Sequence, residues 1–253
     1  MELEAISYEV GGKSFTGYLA DGSGGRRSPG ILVAHEGPGL TGHVKERARM
    51  LAELGYVAFA LDLYGETNLP LERAKALVRE LRADLASLRA RTQAALDVLS
   101  AHPGVDPRRT AAIGFCFGGT AVLELARGGA DLACVVGFHP GLDTSAPGRA
   151  SAVTAKILVC LGDRDPVITV QQRDAFVAEM TGAGVDWQMI LYGGVGHSFT
   201  NREIDALGFP GFAHHALADE RSWLAMRNFF DEVLGPVAGG FAGRTRERYP
   251  RAE

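Results

Sequence analysis

Short, nearly continuous apolar runs punctuate the chain at 31–34, 56–61, 110–113, 133–138 and 157–161, with a weaker one at 187–192. Unbroken apolarity marks strands covered on both faces, as in a parallel sheet, because a strand with one wet face alternates instead. Alternation occurs at the start, where 6–10 and 15–19 flank Gly11 and Gly12 and predict a β-hairpin. Helical spacing of apolar residues fills the gaps at 44–54, 120–126, 169–180 and 219–234. Strand and helix thus alternate, which predicts an α/β fold: a mostly parallel, doubly wound sheet with an antiparallel N-terminal edge.

One stretch, 71–100, holds neither Gly nor Pro. Leu71, Val78, Leu85, Thr92 and Leu99 recur every seven residues, with Ala74, Leu81, Leu88 and Ala95 between them. Such a heptad would suit a seam against a second chain. Leu77 and Leu96 widen the apolar face, so the pattern predicts one or two amphipathic helices packed on the sheet. The 253 residues suit a single domain over 1–235. Residues 236–253, with Gly239, Gly240 and four arginines (Arg244, Arg246, Arg248, Arg251), read as a surface tail.

Charge and cysteine usage narrow the function class. Lys and Arg number 26 against 30 Asp and Glu, a net charge of −4, so no cation excess is available to neutralise phosphates and no nucleic-acid partner is expected. No uncharged apolar run approaches the roughly 18 residues of a membrane span. The acidic start, Met1 to Ala5, lacks the basic-then-apolar layout of a signal peptide. Cys116, Cys134 and Cys160 are odd in number and widely spaced, which suits neither a disulfide framework nor a zinc knuckle. A reduced, cytoplasmic protein without metal or cofactor is expected, as monomer or homodimer.

The sharpest chemical signal is 113–119, Ile-Gly-Phe-Cys-Phe-Gly-Gly, between a predicted strand and a predicted helix. It fits the small-x-nucleophile-x-small elbow, with Cys116 in the place serine usually takes. A side chain thrown onto so tight a turn sits on strained backbone, and its neighbours two residues away must lack bulk. The following helix aims its free N–H groups at the site, which favours a thiolate. The plain alternative is a core cysteine in a glycine cluster.

A nucleophile needs a base, and the base an orienting acid. The run 157–161 ends in Gly162-Asp163-Arg164-Asp165, and 187–192 ends in a glycine turn before His197-Ser198-Phe199. Both follow carboxyl ends of predicted parallel strands, where such sheets place their ligands. His197 is therefore the candidate base and Asp165 the acid, ahead of Asp163, which suits a turn or helix cap. After the first core strand comes His35-Glu36-Gly37-Pro38-Gly39, a loop of the kind that supplies a second oxyanion donor. Glu36 reads either as a solvated loop glutamate or as an acceptor for the Cys116 proton. The remaining histidines, among them His43, His102 and His139, carry no metal-like spacing.

Together these segments resemble the dienelactone hydrolase family. The matching residues are the Glu36 loop, Gly55-Tyr56-Val57 through Asp62-Leu63-Tyr64-Gly65, the 114–119 elbow, Asp165-Pro166-Val167 and Gly196-His197-Ser198-Phe199. The likeness spans roughly residues 5 to 235. It implies an α/β-hydrolase fold and a hydrolase for a small lactone or activated ester. It further implies a Cys116–His197–Asp165 triad, a thioacyl intermediate, Glu36 paired with the resting thiol, and an oxyanion hole made by the Phe117 and Gly37 amides. Dienelactone hydrolases hold a substrate carboxylate with arginines. Here Asn201 stands just after the histidine motif with Arg202 one residue on, and Arg73 and Arg79 are candidates in the long helical stretch. An insert over 202–220 resembles a longer-loop branch of the family. Alternatives are a broad carboxylesterase or thioesterase, or a non-catalytic ligand-binding or thiol redox protein on the same fold.

Overall fold

The computed structural model describes residues 1–237. Its strands are β1 (Glu4–Val10), β2 (Lys13–Asp21), β3 (Ser28–Ala34), β4 (Val57–Leu61), β5 (Val105–Phe115), β6 (Cys134–Phe138), β7 (Lys156–Gly162) and β8 (Trp187–Tyr192). They form one sheet in the order β1-β2-β4-β3-β5-β6-β7-β8. β1 and β2 form the predicted hairpin, and β2 also runs antiparallel to β4, while the other pairings are parallel.

Helices cover both faces. On one side lie α1 (Gly42–Glu53) and α6 (Ala216–Val233), packed on Ile31, Val33, Ile113 and Phe138. On the other lie α2 (Leu71–Ala83), α3 (Leu85–Ala101), α4 (Phe117–Arg127) and α5 (Val170–Gly182), packed on Leu32, Ala112, Val135 and Val159. Successive side chains of the central strands β3, β4, β6 and β7 thus enter opposite cores, which is why those runs are apolar without alternation.

The stretch 71–100 is two helices. Asp84 ends α2 and caps α3, accepting the Ser87 N–H at 3.0 Å. α2 buries Ala74, Leu77 and Leu81, and α3 buries Leu88, Thr92, Ala95, Leu96 and Leu99, all against their own domain. Leu71, which opens the heptad series, is exposed. The break at Asp84 turns the apolar row onto the sheet, so no continuous seam exists.

Strand β5 starts five residues before the predicted run because Val105 and Asp106 pair with Ser28 and Pro29, ahead of an irregularity at Pro29/Gly30. The tail expected from 236 lies outside the described residues except for Pro236 and Val237. Arg109 donates to the Pro236 carbonyl, and Val237 packs on the core. No described helix is long and apolar enough to cross a membrane.

The topology places the chemistry. The chain leaves β3 for β4 on one side and later returns to β5 on the other, so the connections after β3 and β5 diverge and leave a crevice between them. Ala34 and Gly114 are register partners at that point. The Glu36 loop and the Cys116 turn therefore face each other across it. Strands β6, β7 and β8 follow in order, and their carboxyl ends deliver the segments carrying His139, Asp165 and His197 to the same edge.

Candidate active site

Cys116 stands alone between β5 and α4, with φ 51° and ψ −115°. A non-glycine residue held there is strained, and the packing around it explains why the strain persists. A side chain on Gly114 would strike the Gly118 carbonyl, and one on Gly118 would strike the Ala34 carbonyl. The turn is thus clamped between its own strand and β3, with no room for a larger residue. The Cys116 N–H donates to the Phe138 carbonyl at 3.0 Å and toward His139 Nδ1 at 3.1 Å. The Phe117 N–H, first in α4, and the Gly37 N–H donate to no protein group among the described residues.

The thiol meets His197, whose Nε2 lies 3.1 Å from Cys116 Sγ. His197 Nδ1–H donates to Asp165 Oδ2 at 2.6 Å, and Asp165 Oδ1 accepts the Val167 and Ile168 N–H groups at 2.8 and 3.1 Å. Asp163 turns away to accept the Gly194 N–H at 2.5 Å, a loop-holding role. Burial alone would push His197 down, but the Cys116 sulfur and the Asp165 carboxylate outweigh it and hold the imidazolium up to about 10. The 202–220 insert pins this histidine. The His197 N–H and carbonyl bond to Gly211 and Ala213, and the Phe212 ring stands edge-on at 4.7 Å.

Glu36 is buried, and its carboxylate accepts from Asn201 Nδ2 through Oε2. Its Oε1 has no hydrogen-bond partner, with His139 Nδ1 nearby at 4.0 Å. Burial pushes this carboxyl above the usual range, against the opposing pull of Asn201, His197, Ser198 and Arg47. The resting hydrogen bond to the thiol therefore comes from His197, and the expected Glu36–thiol pair is not formed. Asn201 holds the carboxylate instead.

The arginine candidates are not at the thiol. Arg73 pairs with Glu66 and Glu80 at 2.6 and 3.2 Å on the outer side of α2, and Arg79 is exposed on the same helix. Both sit off the Ala74–Leu77–Leu81 stripe that faces the core. Arg202 is exposed and lines a separate cavity of about 870 Å³ between α1 and α6, beside Arg47 and Trp223. Among the described residues no cluster suited to a metal ion occurs. Cys134 and Cys160 are buried in their strands, where burial pushes the Cys160 thiol up to about 12 and Cys134 higher still.

Several polar residues at this edge escape the sequence reading. His139 is fully buried at φ 41°, bonds Thr200 Oγ1 through Nε2 at 2.8 Å and lies 5.2 Å from the His197 ring. Burial and the neighbouring positive groups hold it neutral. His43 is likewise kept neutral, at about 3, by burial and by Arg47. The signal that points to His139 is its place directly after a core strand, the same criterion that selects Asp165 and His197.

Comparisons with known proteins agree with this fold. The model of the dienelactone hydrolase family matches residues 15–234. Carboxymethylenebutenolidase 1 of Cupriavidus pinatubonensis is 27% identical, over 68% of this chain and 75% of that protein. The solved structure called m3DLH superposes with a TM-score of 0.88 at 46% identity, covering 92% of this chain and 98% of the other. A dienelactone hydrolase-like promiscuous phosphotriesterase from metagenomic libraries superposes at 0.86 with 40% identity and the same coverage. With the α/β-hydrolase sheet and a family match over most of its length, this chain belongs to the dienelactone hydrolase family and is a hydrolase of ester bonds.

Proposed function

We propose that the protein hydrolyses a small lactone or activated ester by a thioacyl route through Cys116, His197 and Asp165. The observation that carries this reading is the unbroken contact line Asp165 Oδ2–His197 Nδ1 and His197 Nε2–Cys116 Sγ, 2.6 and 3.1 Å. The thiol proton passes to His197 Nε2, and Asp165 stabilises the imidazolium. The thiolate attacks the carbonyl carbon, and the oxyanion is received by the free Phe117 and Gly37 N–H groups. Collapse breaks the acyl–oxygen bond, and the leaving oxygen takes the proton from His197. Water then loses a proton to His197 and attacks the thioester, and the sulfur departs and is reprotonated. A thiolate suits substrates with a good leaving group, because the tetrahedral adduct otherwise expels sulfur.

Glu36 is a second acid–base group for this thiol. Its raised pKa makes its carboxylate a stronger base than an exposed glutamate, and its negative charge favours the His197 imidazolium. The Cys116 proton thus has one of two destinations, His197 Nε2 as above or Glu36 Oε1 once substrate entry draws the carboxylate from Asn201, and the group that takes it up returns it to the leaving oxygen.

The test is turnover of 4-nitrophenyl acetate and dihydrocoumarin by the wild type and by Cys116→Ala, Cys134→Ala and Cys160→Ala. Cys116→Ala should lose turnover while the other two keep it. Full activity in Cys116→Ala refutes the reading. The likeness to a promiscuous phosphotriesterase favours a second reading, with the same thiolate attacking an activated phosphotriester. Comparing kcat/KM for a 4-nitrophenyl phosphotriester with that for the acetate ranks the two.

A further inference from the structure

The turn at 62–65 takes no part in the triad, yet it is bonded to the Glu36 loop at two points. His35, fully buried, receives the Leu63 N–H on Nε2 at 3.1 Å. An amide N–H only donates, so Nε2 is bare and the ring proton sits on Nδ1. Burial keeps the ring neutral, in keeping with that tautomer. Nδ1–H then donates to the Glu36 carbonyl at 2.7 Å, and the same oxygen also accepts the Gly39 N–H at 3.0 Å. In a planar trans peptide the C=O and the following N–H point in opposite directions. Two donors on the Glu36 oxygen therefore aim the Gly37 N–H the other way, and that N–H has no protein acceptor.

Tyr64 secures the next peptide. Its hydroxyl donates to the Gly37 carbonyl at 2.8 Å, and its ring lies edge-on to His35 at 4.7 Å. The turn is itself rigid, since Asp62 Oδ1 accepts the Tyr64 and Gly65 N–H groups at 2.8 and 3.0 Å. Arg91 caps the Leu63 carbonyl at 2.6 Å.

We infer that His35 is a positioning residue for the oxyanion hole: its Nδ1–H clamps the Glu36 carbonyl and so presents the Gly37 N–H to the oxygen of the Cys116 adduct. Tyr64 serves the same peptide segment from the other side. The clamp acts on the backbone alone and leaves the Glu36 side chain free for its own chemistry. The inference rests on the thioacyl reading above.

Two substitutions separate the two ring nitrogens. His35→Asn keeps a donor near Nδ1, and His35→Gln keeps an acceptor near Nε2 while losing the clamp. His35→Gln should lower kcat for 4-nitrophenyl acetate by on the order of 10²-fold, the scale of one lost oxyanion donor, with KM and the pH profile little changed. Affinity for an aryl trifluoromethyl ketone, whose thiol adduct carries an oxyanion, should fall in parallel. Alkylation of Cys116 by iodoacetamide forms no oxyanion and should keep its rate. His35→Asn should recover most of the loss. The inference is overturned if both substitutions lose equally, if alkylation falls in step with kcat, or if His35→Gln keeps its kcat. Should His35→Gln fail to fold, Tyr64→Phe carries the test: a several-fold loss in kcat and ketone affinity supports the clamp, and unchanged values overturn it. A wild type that turns over no ester refutes the thioacyl reading itself, and the inference with it. An active wild type with unaffected variants refutes the inference alone.

Discussion

Replacing Asp165 by Asn changes one atom and should disable the site. Asp165 is buried and accepts three hydrogen bonds, two from the Val167 and Ile168 amides on Oδ1 and one from His197 on Oδ2. In Asp165→Asn the amide oxygen must stay with the two backbone donors, because an NH2 group there would leave both unpaired in a dry site. The NH2 group then faces His197 Nδ1, which has to become an acceptor. The ring proton moves to Nε2 and points at Cys116 Sγ, 3.1 Å away, so the imidazole no longer takes the thiol proton. The imidazolium also loses its buried counter-charge, one of the interactions that hold His197 up to about 10. A wrong tautomer in a Ser–His–Asp site costs about 10⁴ in kcat, and a thiol, more acidic than a hydroxyl, should lose somewhat less, about 10³. The measurement is steady-state kcat for 4-nitrophenyl acetate, with thermal melting as the control for folding. Asp163→Asn, whose carboxylate holds only the Gly194 amide, should cost a few-fold at most. A folded Asp165→Asn enzyme within tenfold of wild type, or an Asp163→Asn enzyme equally impaired, would sink the assignment.

Three further outcomes follow from the same contacts. Urea unfolding should show a stability contribution from His197 that is fully present below about pH 6.5 and lost as pH rises through about 10, because its folded pKa lies above its ordinary value. An unfolding free energy that stays level over that range contradicts the raised imidazolium. Glu36→Gln should fold normally and lower kcat by about 10²-fold, the low end of acid–base contributions; an unchanged kcat reduces Glu36 to a loop residue. Glu124 is fully buried and bonded by Arg89 and Arg127 at 2.5 and 3.1 Å, so Glu124→Ala should cost about 3–5 kcal/mol in urea unfolding, and a loss under about 1 kcal/mol would show that water reaches the pair.

What the sequence discloses tracks what each residue must satisfy locally. The core strands are legible because burial on both faces demands unbroken apolarity. The elbow is legible because Gly114 and Gly118 answer to backbone carbonyls a few ångströms away. Asp165 and His197 are legible from their positions after β7 and β8. Which of Asp163 and Asp165 meets His197 is a matter of loop conformation that spacing does not encode. Glu36 shows the same limit. Its loop is recognisable, but its resting partner, Asn201, lies 165 positions away and meets it only in the folded chain. The arginines show a related limit, since both lie off the buried stripe of α2, Arg73 beside it and paired with surface carboxylates, Arg79 on the opposite face and exposed.

The histidines give the deeper lesson about how this site is organised. His35, His43, His139 and His197 are all buried around one edge of the sheet, yet His197 alone is held protonated. Burial pushes all four toward the neutral form, so their difference comes from partners. His35 is given an amide donor and a backbone carbonyl, His43 the Arg47 guanidinium, and His139 a hydroxyl and the Cys116 amide, none of which rewards a positive charge enough to offset desolvation. His197 is given a carboxylate on one nitrogen and a sulfur on the other. A second cation beside it would lower its pKa, so keeping the three neighbours neutral is what lets the carboxylate and the sulfur hold the imidazolium up. Replacing His139 with a permanent cation should therefore cost more activity than replacing it with a neutral residue of similar size. The pair His139→Lys and His139→Gln, compared through the pH dependence of Cys116 alkylation, checks that argument: equal profiles in the two variants would show that the charge at this position is irrelevant.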